Sequence, residues 1–170
     1  VTVTGIGTSP ETSADGSGGG HADRHRPLGS YAALTVVFNT VFGGALLAGR
    51  RRLPERYDVG DVALLSVATY KLSRLLAKDR VTSGIRAPFT RFEGDAGAAE
   101  VDERARGRGL RRALGELLVC PYCLEQWVGG GFVVGMVFAP RATRATATMF
   151  TVVAGADVLQ QGYTALRERG

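Results

Sequence analysis

A chain of 170 residues with a formal charge of +5 and 45% hydrophobic residues has room for one compact domain, or for roughly three to four membrane-crossing elements and one sizeable loop. Two cysteines exclude a disulfide-built secreted scaffold. The basic balance suits anionic lipid better than nucleic acid, because the arginines flank apolar runs and no series of stacking aromatics accompanies them.

Residues 1–29 are polar and glycine-rich and read as a disordered tail. His21 and His25 are four apart, but a glycine run and Pro27 oppose the helix that would bring them together. No secretory signal is evident, since the first apolar run comes late and is long, so a retained anchor is expected. That run, Tyr31 to Gly49, is uncharged and at 1.5 Å per residue nearly spans a hydrocarbon core of roughly 30 Å. Arg50, Arg51, Arg52 and Arg56 follow it. The positive-inside rule then places the N-terminus outside and loop 50–112 in the cytoplasm.

Asp61 to Asp79 is amphipathic. Val62, Leu64, Leu65, Ala68, Leu72, Leu75 and Leu76 form one arc, and Lys71, Arg74 and Lys78 lie opposite, as in a helix resting in the membrane interface. Residues 80–112 read as a charged loop, with Glu100 to Arg112 a candidate short helix. Lys71, Arg74, Arg86 and Arg91 are candidate lipid-facing bases, with Phe89 and Phe92 inserting beside them. Residues 117–139 and 145–166 supply two further crossings, turned by Pro140 and the ATR triplet. Residues 30–166 thus form a helical membrane domain and 167–170 a short tail. The expected fold is an all-α membrane protein with three transmembrane helices and one interfacial helix; a four-crossing helical bundle is the alternative.

The stretch ELLVCPYCLEQW, Glu116 to Trp127, concentrates the chemistry. Cys120 can cap a helix that begins with Pro121, where free backbone N–H groups stabilise a thiolate. Three readings stay open: small buried residues at a kinked helix start, a redox dithiol, or half a zinc site completed by Glu116, Glu125 or a second subunit. Trp127 is the expected interfacial anchor. The Gly129–Gly135 face allows close helix contact, within the chain or with a homodimer partner or other membrane protein. Asp157 stands in an uncharged run, where a carboxylate must be paired or hydrated. Gln160, Gln161, Lys71 and Arg74 are candidate partners, and a proton path is the functional alternative.

Ala68-Thr69-Tyr70-Lys71-Leu72-Ser73-Arg74-Leu75, Lys78-Asp79-Arg80-Val81-Thr82, Arg86-Ala87-Pro88-Phe89, Gly115-Glu116-Leu117-Leu118 and the CPYC-x-x-x-W block together resemble the family called domain of unknown function 1360, over about residues 30–165. The resemblance implies a small bacterial membrane protein and brings no assigned chemistry; the arginine- and alanine-rich composition suggests an actinobacterial source. The expected role is a non-enzymatic scaffold or assembly partner in the cell envelope, multi-pass in the cell membrane. A CxxC thiol oxidoreductase or metal-binding protein, and a small transport component using Asp157, are the alternatives. Anionic lipid is the expected surface partner and nucleic acid is not. No cofactor is expected outside the zinc reading.

Overall fold

The computed structural model describes residues 28–169, so most of the expected tail, with His21 and His25, lies outside the described residues. Within them the chain forms α1 (Leu28–Ala48), α2 (Val59–Lys78), α3 (Ser83–Arg86), β1 (Thr90–Gly97), β2 (Glu100–Ala105), α4 (Gly109–Val119), α5 (Pro121–Phe138) and α6 (Pro140–Arg167). Asp58 caps α2 by accepting the Gly60 N–H at 2.8 Å, satisfying one donor that the first turn leaves free. Proline opens both α5 and α6, a position where its missing N–H costs nothing.

The four long helices alternate in direction. At the start of α2, Arg144 of α6 pairs with Asp61, farther along Thr151 Oγ1 donates to the Leu64 carbonyl at 3.2 Å, and Lys71 then meets Asp157; α2 and α6 therefore run parallel. Opposite them, α1 and α5 also run parallel: Phe38 stands edge-on to Trp127 at 5.2 Å, and a Cβ on Gly49 would lie 2.5 Å from Val137. A tight turn at Ala139 reverses the chain between α5 and α6, where a Cβ on Gly135 would lie 2.6 Å from the Thr143 hydroxyl. Leu65, Ala68, Phe132, Met136 and Ala147 form the buried core, flanked by Leu64, Leu72, Val128 and Phe150.

Three expectations change. First, α2, expected to rest in the membrane interface, packs lengthwise against both α5 and α6. Second, the charged loop and its candidate short helix contain an antiparallel hairpin, β1 with β2, with register shifts after Phe92 and after Asp95. The fold is mostly helical but not all-α. Its turn uses positive φ at Gly97 (147°) and at Ala99 (66°), backbone that only glycine adopts without strain. Third, the expected crossing over 117–139 breaks at Cys120, where α4 and α5 meet at 85°, and α6 starts at Pro140 without waiting for Ala145.

By length and hydropathy α1 is suited to cross a membrane, whereas α4 and α5 meet that test only when taken together as one bent pair. None of the residues of α1 is buried, and Leu28, Val36, Val37, Val41 and Leu47 present apolar surface outward. A helix that is apolar all round suits a lipid environment.

Candidate redox site and the ion pairs beneath it

The corner between α4 and α5 is built by Cys120. Its backbone is extended (φ −104°, ψ 103°), ending α4, and its Sγ accepts the Cys123 N–H at 3.2 Å while its carbonyl accepts from Leu124 at 3.1 Å. Cys120 and Cys123 are joined as a disulfide with Cα atoms 5.3 Å apart, the separation that one helical turn supplies and that disulfide geometry accepts. Cys120 is half-buried and Cys123 exposed. The neighbouring Tyr122 is 81% exposed, so among the described residues the Cys123 side of the pair is left open.

Cys123 also faces a cavity of about 330 Å³ between α1 and the corner, walled by Leu34, Phe38, Leu117 and Trp127, with Tyr31 and Glu116 at its polar end. The Tyr31 hydroxyl donates to Glu116, and Arg112 Nε donates to the same carboxylate at 2.9 Å. Trp127, the expected interfacial anchor, is half-buried and stands edge-on to Phe38. Glu125 lines a different groove, with Tyr57, Leu65, Thr69 and Tyr70. The four candidate metal ligands are therefore not brought to one point, and among the described residues no three of His, Cys, Asp or Glu gather as a ligand set.

The basic face of α2 is matched by acids from elsewhere in the chain. Lys71 Nζ lies 2.6 Å from Asp157 on α6, with side chains 10% and 38% exposed. Arg74 makes a two-pronged contact with Glu100 of β2 at 2.8 and 3.0 Å, and Lys78 reaches Asp102 at 3.0 Å. Lys71 and Arg74, expected to face lipid, thus serve pairs within the chain.

Arg86 departs furthest from expectation. It is 1% exposed and pairs with Glu103, whose side chain is 2% exposed, at 2.9 Å. Its remaining donors reach the Leu76 carbonyl at 2.7 Å, the Thr82 hydroxyl at 2.6 Å and the Asp79 carbonyl at 3.1 Å. Ser83 and Thr90 also donate to the Glu103 carboxylate. Burial pushes the Glu103 carboxyl up, but hydrogen bonds from Arg86, Ser83 and Thr90 outweigh it and hold the group below its ordinary value. Of the four bases expected to face lipid, Arg91 is the exposed one.

The glycine face is used within the chain. A Cβ on Gly129 would meet Thr69 at 3.5 Å and one on Gly130 would meet Phe38 at 3.0 Å, while Gly131 has open space beside it. Sequence reading missed Gly115, where a Cβ would sit 2.5 Å from the Phe89 carbonyl oxygen and 2.9 Å from Ala105. Its place as the first residue of the GELL motif was the only signal available.

Residues 64–163 match the sequence model of the family described as protein of unknown function (DUF1360). The stretch begins inside α2, so α1 lies outside it, and the resemblance expected from about residue 30 is shortened accordingly. The chain is similar to "Sporulation protein YjcA" of Bacillus subtilis (strain 168), at 29% identity over 102 residues that cover 58% of this chain and 86% of the relative. The relative is bacterial, and it lends no support to an actinobacterial source. No solved structure matches significantly.

Proposed function

The chain belongs to the DUF1360 family, and from that premise we propose that it is a membrane protein whose Cys120–Cys123 pair undergoes thiol–disulfide exchange. The observation that carries this reading is the capped, uncovered disulfide. Cys120 Sγ accepts a backbone N–H at the start of an 18-residue helix, and Cys123 is the exposed sulfur. A substrate thiolate attacks Cys123 Sγ; the new S–S bond forms there as the Cys120–Cys123 bond breaks. The electron pair leaves on Cys120, whose thiolate the helix N-terminus stabilises. A better-stabilised leaving thiolate departs faster.

The test is made on the reduced protein in detergent or lipid. One thiol is expected to alkylate readily in mildly acidic buffer, and a small dithiol is expected to reduce the disulfide reversibly. Cys123→Ser is expected to trap no mixed disulfide, while Cys120→Ser should trap one at Cys123. A structural pair is the second reading, supported by the disulfide's position on the 85° corner between α4 and α5. In that case both single variants lose stability, by about 1–2 kcal/mol, and neither traps a substrate thiol.

The alternating helix directions support the four-crossing arrangement over three crossings with α2 on the surface, with α2 and α6, which do not meet the length-and-hydropathy test that α1 meets, crossing as partners of one another. Lys71 pairing with Asp157 turns the polar face of α2 inward, as an intramembrane charge requires. Residues 50–58 and 79–120 then lie at opposite ends of the bundle, so the expectation that loop 50–112 is wholly cytoplasmic gives way. Single cysteines at Glu55 and Asp95, in a background without Cys120 and Cys123, are expected to label from opposite sides of sealed vesicles. Labelling from one side would return α2 to the interface.

A further inference from the structure

A disulfide that exchanges with substrate dithiols must pass its electrons on before it can act again. The cavity at Cys123 has the composition to receive a particular kind of acceptor. One wall is α1, whose outer surface is apolar along its length, so the cavity lies beside the element best suited to lipid. The walls hold Leu34, Phe38, Leu117 and Trp127, and the volume of about 330 Å³ falls at the lower end of the range for small-molecule sites. At the polar end Tyr31 donates to Glu116, which also accepts from Arg112, a half-exposed side chain. A flat apolar ring with oxygen at its edge fits such walls, and the Tyr31–Glu116–Arg112 chain runs from the cavity toward solvent.

We propose, resting on the exchange reading above, that this cavity binds a lipid-soluble quinone, which reoxidises the Cys120–Cys123 dithiol. The Cys123 sulfur adds to a quinone ring carbon, forming a C–S bond. The Cys120 thiolate then attacks Cys123 Sγ; the S–S bond forms, the C–S bond breaks, and its electron pair stays on the ring. Two thiols and one quinone become one disulfide and one hydroquinone. The two protons leaving the sulfurs end on the two ring oxygens, and Tyr31 and Glu116 stand where they can relay them. Thr35, on the cavity wall with its hydroxyl turned back to the Tyr31 carbonyl at 3.0 Å, sits where a larger side chain would fill the space.

Trp127 is the chain's single tryptophan and lines the cavity, so its fluorescence reports occupancy directly. The probe is a short-chain benzoquinone added to full-length protein in lipid nanodiscs. In the double variant Cys120→Ser with Cys123→Ser, quenching is expected to be saturable, which separates binding from thiol chemistry. Thr35→Phe is expected to weaken that binding by at least about tenfold, the order of effect that overpacking a well-fitted site produces. In the absence of oxygen the reduced wild-type protein is expected to convert quinone to hydroquinone in equal amount as its thiols disappear. Glu116→Gln is expected to slow that conversion and change its pH profile more than it changes quinone binding. Quenching that rises linearly and is the same in Thr35→Phe would overturn the site. A reduced protein that a soluble disulfide reoxidises and quinone does not would overturn the acceptor while leaving the exchange reading intact.

Discussion

The long-helix bundle and the hairpin platform beside it are held together by opposite means. In the bundle, most contact comes from small and apolar residues, with the Lys71–Asp157 and Arg144–Asp61 pairs added between α2 and α6: Ala68 and Ala147 are fully buried, and glycines bring α1, α5 and α6 together. In the platform of α3, β1, β2 and α4, the largest fully buried side chain is Arg86. Packing of the first kind is tolerant, because one apolar contact substitutes for another of similar volume. The second kind is specific, since a buried charge that loses its partner has no cheap alternative. The platform therefore fixes the far end of α2 and the α4–α5 corner, while the bundle supplies the apolar body.

The sharpest way to break this contrast is Arg86→Ala. It leaves Glu103 without its guanidinium in a closed site, and a loss of about 3–5 kcal/mol is expected by denaturant titration. A loss below about 1 kcal/mol, the range of a surface pair, would show the platform to be no more specific than the bundle. The pH dependence sharpens the same point. Because the folded-state pKa of Glu103 is depressed, its contribution is fully present above the unfolded carboxylate value and disappears as pH falls through the folded one. The stability gap between wild type and Glu103→Gln is expected to narrow across that acid window and to stay constant above it.

A smaller effect is expected in the bundle. Lys71→Met strands Asp157 and should cost about 1–3 kcal/mol, whereas Lys71→Met combined with Asp157→Leu should recover most of the loss. Thermal unfolding in a fixed detergent reads the difference, and a double variant no better than the single would mean the pair contributes more than its own neutralisation. The smallest effect belongs to Ser73. Among the described residues its hydroxyl is the one buried side-chain polar atom without a hydrogen-bond partner. Ser73→Ala is therefore expected to be neutral or stabilising by up to about 1 kcal/mol, and a clear loss would reveal a contact made only in the assembled membrane state.

Much of the bundle was legible in the residues. An uncharged run long enough to cross marked α1, Pro121 after Cys120 marked the capped helix, and a lone acid in α6 implied a partner, of which Lys71 was one named candidate. The platform was not legible in the same way. Its hairpin carries two register shifts, which interrupt the alternation that reveals a strand. Arg86 and Glu103 are separated by a turn, a strand and another turn, and nothing local distinguishes them from solvated charges. The basic stripe on α2 misled for a related reason: a helical wheel shows which residues share a face, but not that Asp157, Glu100 and Asp102 come from elsewhere to neutralise it.

The parallel pairing of α1 with α5 has a consequence for biosynthesis. During translation α1 emerges before its main helix partners α4 and α5, which leave the ribosome only after α2 and the hairpin have been made. The nascent chain must therefore hold α1 in waiting, and the apolar outer surface of that helix suits it to wait in a lipid environment. Vectorial synthesis thus sets the cavity at Cys123 among the later features to close, because the α1 wall is made well before the α4–α5 wall that faces it.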